Sequence, residues 1–240
     1  MDASKRQVIE ATCRRVVENL KKNNMEACYL PSVSAVPEQV ASWLHEGDTV
    51  AVGGSMTLAE SGVMSLLKSG KYRFLDRYAP GLTPEETRRI FIESFAADAY
   101  LCSANAITLN GELYNVDGNS NRVAAICYGP ASVIVVAGYN KIVKDLDEAV
   151  QRDAEIRDEL VAASLVGDKP VAAAEKLVGE HQSCKNGWTA ISAADKGGGN
   201  RCLSRRWRAS SNTCWTSCYF QLIRGKYPIN QFRRFLIGHA

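Results

Sequence analysis

Residues 98–141, DAYLCSANAITLNGELYNVDGNSNRVAAICYGPASVIVVAGYNK, constrain the fold more than any other stretch. A short apolar run at 99–102 leads into the polar turn Ser103, Ala104, Asn105, and a second edge follows at 106–109. Asn110 and Gly111 then stand between two strand-like runs. That is the strongest local hairpin signal, and it predicts a two-residue type I′ turn with positive φ at both positions. A second polar cluster, Asp117, Gly118, Asn119, Ser120, Asn121, precedes a short helix over 122–128, which Gly129 and Pro130 stop. The β-branched run 132–137 reads as a strand buried on both faces. Two Asx/Gly clusters therefore flank one hairpin inside an α/β pattern. They are either turn formers, which these residues favour anyway, or the ligand loops expected at the carboxyl ends of strands in an open α/β sheet.

The rest of the chain supplies the layers. Helical spacing runs over 4–23, 34–45 (with Pro37 and Glu38 in the first turn), 58–68, 83–96 and 145–166. Thr83, Pro84 and Glu86 form a capping-box start. Short strands are expected at 26–30, 49–52, 72–75 and 99–102, besides 132–137. The expected fold is α/β, a three-layer open and mostly parallel sheet, with the hairpin at 106–116 inserted beside it. After the strand at 49–52 comes Gly53, Gly54, Ser55, Met56, Thr57 and a helix, a geometry in which backbone N–H groups can face an anion. It carries neither the P-loop nor the G-x-G-x-x-G fingerprint. A tight turn with a Ser or Thr helix cap accounts for it equally. Glu60 reads as a first-turn dipole partner. Lys141 and Lys144, just after a strand, are solvated residues or anion contacts.

Charge is distributed unevenly. Residues 1–195 carry −6 and the last 45 carry +9, without a single acid. The start, MDASKRQVIEATCRR, lacks a signal-peptide pattern, and no apolar run approaches the ~20 residues needed to span a bilayer. A cytoplasmic location is expected. That argues against disulfides among the eight cysteines.

The runs VAVGGSMTLAESGV, DAYLCSANAITLNGELYNVDGNSNRVAAICYGP and VIVVAGYNKIVKDLDEAVQR closely resemble the LUD (lactate utilisation) domain family, over residues 1–152. The resemblance implies a fold like that of the ribose-phosphate isomerase and CoA-transferase superfamily (NagB/RpiA/CoA-transferase-like). It implies a role in oxidation of L-lactate to pyruvate beside iron–sulphur partner subunits. Position by position, Gly53, Gly54, Ser55 and Thr57 match the superfamily's ligand loop. Asn105 sits where similar isomerases place a catalytic Asp, and Asn110 and Gly111 match the hairpin that follows. Asp117, Gly118, Asn119 and Asn121 match the next cluster. Asn105 and Asp117 are thus the catalytic candidates, and the others are ligand-binding candidates. An amide cannot act as a general base, so isomerase chemistry is not carried over. The three histidines, at 45, 181 and 239, form no recognisable dyad.

Partners expected are a small anionic metabolite and iron–sulphur subunits, with a homo-oligomer left open and neither membrane nor nucleic acid favoured. No particular cofactor and no metal site follows. A non-enzymatic ligand-binding or regulatory module of the same fold is the alternative. Residues 153–240 depart from the family pattern as a basic tail containing Cys and Trp. Its four cysteines, at 184, 202, 214 and 218, are spaced too widely for a familiar metal site, apart from the last pair. The tail reads as a nucleic-acid arm, a disordered or partner-dependent segment, or an out-of-frame continuation.

Overall fold

The computed structural model describes residues 2–117, 121–166, 188–194, 200–206 and 232–238. Six parallel strands form the main sheet: β1 (Glu26–Leu30), β2 (Thr49–Val52), β3 (Arg73–Leu75), β4 (Ala99–Cys102), β7 (Ser132–Gly138) and β11 (Phe232–Gly238), in the order β1-β11-β7-β4-β2-β3. The five strands expected before residue 152 are all present. The sheet also draws on sequence beyond 152, because β11 lies between β1 and β7.

Alternation along the strands sorts side chains into two cores. Val133, Val135, Ala137, Tyr100, Cys102, Ala51 and Ile237 face one cluster. Ile134, Val136, Ala99, Leu101, Val50, Val52 and Leu236 face the other. This is the period-2 consequence of strand geometry, and it explains why residues 133–137 of β7 read as an unbroken apolar run. Helix α1 (Ala3–Lys22) covers the first face with Cys13, Val16, Val17 and Leu20, at helical spacing. Helices α2 (Val36–Ala41), α3 (Met56–Glu60) and α4 (Val63–Leu67) cover the second with Val36, Val40, Leu58, Val63 and Leu67. Each fully buried aliphatic side chain contributes roughly 1.5–3 kcal/mol of transfer free energy. The result is the expected three-layer α/β architecture. Helix α5 (Pro84–Glu93) opens with the expected Thr83–Glu86 capping box.

Several local expectations are corrected. The single helix over 58–68 is two short ones, because Gly62 adopts φ +76° between them. Glu60 therefore ends α3 instead of standing in its first turn. The helix over 34–45 shortens to α2, followed by i→i+3 turns in which Trp43 N donates to Val40 O and Leu44 N to Ala41 O. The hairpin strands are β5 (Ala106–Thr108) and β6 (Leu113–Asp117), so its connection is longer than two residues. Gly111 has φ +81° and donates its N–H to Thr108 O, whereas Asn110 keeps a negative φ; the turn is not type I′. The hairpin lies outside the main sheet, as expected. It belongs to a second five-stranded sheet with β8 (Ile142–Val143), β9 (Trp188–Ala194) and β10 (Asn200–Arg206), in the order β10-β9-β6-β5-β8.

Candidate functional site

In the main sheet β2 separates β3 from β4, so the chain leaves β2 in one direction and β4 in the other. Such a reversal opens a crevice at the carboxyl ends of the two strands, where open α/β sheets bind ligands. Gly53 follows β2 and Ser103 follows β4, which puts the two polar turns on either side of this crevice. Gly53 N donates to Leu101 O at 2.8 Å. A Cβ on Gly53 would stand 3.0 Å from the Tyr100 hydroxyl and 3.3 Å from both Cys102 Cβ and Arg122 Cδ. A side chain at 53 would press on three others, each of which would have to yield by a few tenths of an ångström.

Arg122, in the first turn of α6 (Asn121–Cys127), organises the crevice. Its Nη1 donates to Ser103 O at 2.8 Å and to Asn115 Oδ1 at 3.0 Å; its Nη2 donates to Asn105 Oδ1 and Val116 O, both at 2.7 Å. All four acceptors are neutral. Asp117 Oδ2 accepts from the backbone N–H groups of Arg122 (2.7 Å) and Val123 (3.1 Å), so this carboxylate caps the helix. Asn105 is equally committed. Its Nδ2 donates to Asp153 Oδ1 at 2.8 Å, and its Oδ1 accepts from Arg122 and from Val116 N. The two catalytic candidates are therefore brought to the base of the hairpin, each holding other groups in place.

Two further cations complete the cluster. Lys141 lies in a 3-10 turn (Tyr139–Lys141) after β7, and its Nζ donates to Ser103 Oγ at 2.6 Å. Among the described residues no carboxylate forms an ion pair with it. Burial, followed by the charges of Arg122 and Arg152, pushes Lys141 down to about 8, a direction only partly opposed by Cys102 and Glu60. Arg152, on α7 (Leu146–Val166), donates Nη1 to Asn105 O at 2.6 Å and Nε to Asn140 O at 3.2 Å. Its Nη2 takes no acceptor among the described residues. Burial lowers its affinity for the proton, and the adjoining Asp153 opposes that effect. Three cations thus gather at the carboxyl edge on neutral hydrogen-bond partners.

The remaining expected residues are spread more widely. Gly54 is exposed beside the Tyr78 hydroxyl, and Ser55 Oγ accepts from Leu58 N at 3.3 Å as the cap of α3. Thr57 lines a small apolar crevice with Leu30, Val36 and Gly138, under the ends of β1 and β7. Asn121 opens α6. Asn110 and Gly111 sit at the hairpin tip, the end opposite Asn105 and Asp117, against the C-terminus of α1. There Asn23 Nδ2 donates to Asn110 O (3.1 Å) and Gly111 O (3.2 Å). Gly118 and Asn119 lie outside the described residues, as do His181, His239, Cys184, Cys214 and Cys218.

Sequence reasoning did not single out Ser103, Arg122, Arg152 or Asp153. One signal was readable. Arg122 in the first turn of a helix has the wrong sign for the macrodipole, which implies another role for its charge.

Among curated proteins none matches the chain. A DUF162 family protein from Deinococcus radiodurans is similar in structure at 15% identity, over 97% of this chain and 98% of that one, with TM-score 0.49. The delta subunit of eIF2B from Chaetomium thermophilum is similar at 20% identity over 50% of each chain, with TM-score 0.34. Ribose 5-phosphate isomerase from Plasmodium falciparum is similar at 17% identity over 48% of this chain and 54% of that one, with TM-score 0.31. The family model described as the LUD domain matches residues 13–174, which include Gly53, Ser103, Arg122, Lys141 and Arg152. The chain belongs to the LUD domain family.

Proposed function

We propose that this protein binds a small carboxylate of the lactate and pyruvate class at the carboxyl edge of its main sheet, and through it takes part in oxidation of L-lactate to pyruvate. The observation that carries this reading is Lys141, half-buried without a carboxylate partner among the described residues and facing the charges of two arginines. A cation held in that way gains most from an incoming anion. Among the described residues the Arg152 Nη2 meets no acceptor, so its N–H groups can help hold a carboxylate in the planar guanidinium fork. In this reading Gly53, at the end of β2 beside Arg122, forms the second wall of the site, and the protein is cytoplasmic.

Removing two electrons from lactate requires an acceptor, and iron–sulphur partner subunits supply it in this reading. Among the described residues no three His, Cys, Asp or Glu side chains gather as a metal-binding set. The likeness to the LUD domain family assigns the clusters to the partners. A thermal-shift screen of the full chain tests ligand class, using lactate, pyruvate, sugar phosphates, CoA esters and nicotinamides. A ligand that binds only the native state raises its midpoint by mass action. A shift with lactate or pyruvate, absent in Arg152→Met, is expected. A shift with nicotinamides or CoA esters alone would replace the reading.

A second reading, a ligand-binding or regulatory module without chemistry of its own, is favoured by one observation. Asp117 caps α6 and Asn105 is an amide, so the two positions expected to do acid–base work are occupied in holding the loops together.

A further inference from the structure

We propose that Lys141 is a covalent catalytic residue whose neutral amine condenses with the carbonyl of a 2-oxo acid bound at the carboxyl edge of the sheet. The inference rests on the small-carboxylate reading above and names the reacting atom within that site.

The geometry supplies what such a lysine needs. Lys141 follows β7, buried at six of its seven residues, and its Nζ is fixed by Ser103 Oγ at 2.6 Å where the chain leaves β2 and β4 in opposite directions. Ser103 is itself buried, so this contact holds the amine in one place while Lys141 remains partly exposed. Arg122 spends its four Nη hydrogen bonds on neutral acceptors, which leaves its positive charge facing Lys141. Arg152 adds a second like charge, and its Nη2 meets no acceptor among the described residues. A lysine desolvated beside other cations is the arrangement that keeps an amine nucleophilic near neutral pH. With its protonation midpoint about 8, roughly a tenth of the amine is neutral at pH 7.

The step balances without an oxidant. The Nζ lone pair forms a bond to the carbonyl carbon, and one N–H proton passes to the former carbonyl oxygen to give a carbinolamine. The C–O bond then breaks, and the hydroxyl leaves with a second proton as water. An imine remains on Nζ. The carboxylate of the 2-oxo acid takes no part in bond making and serves as the handle for Arg152.

Full-length protein incubated with pyruvate and sodium cyanoborohydride, then analysed by intact-mass and peptide mass spectrometry, tests the proposal. One reduced pyruvate adduct is expected, mapped to Lys141. Its yield should rise as pH increases from 6 to 8, and fall at least tenfold in both Lys141→Arg and Lys141→Met. The arginine variant preserves the charge, so loss in a folded Lys141→Arg cannot come from weaker anion attraction. Calorimetric binding of pyruvate is measured on the same samples. Binding without an adduct, or an adduct confined to exposed lysines such as Lys68 and Lys144, overturns the covalent role and leaves the carboxylate site standing. Absence of both adduct and binding in the folded chain overturns the two together.

Discussion

Lys141 Nζ donates a 2.6 Å hydrogen bond to Ser103 Oγ, joining the turn after β7 to the turn after β4. Ser103 O accepts from Arg122, and Arg122 in turn holds Asn105 and Asn115. The carboxyl edge is therefore one connected polar network, not a set of separate loops. Truncating any member leaves a half-buried donor or acceptor without its partner, the costly case for a hydrogen bond.

The first prediction concerns the link between the hairpin base and α7. Asp153→Ala removes the acceptor of Asn105 Nδ2 at a buried position. It should destabilise the protein by about 1–3 kcal/mol, read from urea unfolding midpoints. Asp153→Asn retains an acceptor oxygen and should lose less. Equal midpoints for Asp153→Ala and wild type would show that the contact contributes nothing.

Gly111 gives a second prediction, away from the cluster. A Cβ there would lie 2.9 Å from Leu20 N and 3.0 Å from Asn19 C, at φ +81°. The obstruction is backbone and cannot rotate away. Gly111→Ala should lose about 1–3 kcal/mol or more through strain, by the same unfolding assay. Carboxylate affinity, measured below the variant's melting range, should stay within about twofold of wild type, because the tip lies a hairpin's length from the edge. A larger loss of affinity would place Asn110 and Gly111 in the site after all.

The pH dependence of stability follows from Lys141. Its native-state midpoint, about 8, lies below the ordinary lysine value of 10.5, so the unfolded chain binds more protons between those limits. From this group, stability should rise as pH increases from about 8 to about 10.5 and be flat below that window. Lys141→Met should remove that contribution and be relatively more stable at pH 7 than at pH 10. A wild-type-minus-variant difference independent of pH would contradict the depressed midpoint.

The division of the chain at residue 152 yields a further test. Strand β11 stands between β1 and β7, so a fragment of residues 1–152 exposes two interior strand edges. Unpaired edges of that kind invite association. The fragment is predicted to lose the cooperative thermal transition of the full chain. A sharp, monomeric transition at the same temperature would make 1–152 a self-sufficient domain.

Much of the main sheet was legible because its signals are local. The run 133–137 is apolar throughout because β7 is buried on both faces, and Thr83 with Glu86 announced α5 through a capping box that involves no distant residue. The helix expected over 58–68 spans Gly62, whose φ of +76° ends one helix and starts the next. Beyond its hairpin, the second sheet was not legible. β6 pairs with β9, some seventy residues later, and no local pattern carries that register. The site was half legible for the same reason. Asn105 and Asp117 are marked by their turns, but Arg152 joins them only through the packing of α7 against β5. Lys141 looked like any basic residue after a strand until its neighbours proved to be cations.

Isothermal titration of the full chain with lactate and with pyruvate at pH 7, for wild type, Lys141→Met and Arg152→Met, tests the carboxylate site most directly. The account predicts saturable one-to-one binding in wild type, at least tenfold weaker in each variant, and weakening as pH rises through 8 and Lys141 loses its charge. Unchanged affinity in both variants, or no binding to a chain shown to be folded, would contradict it.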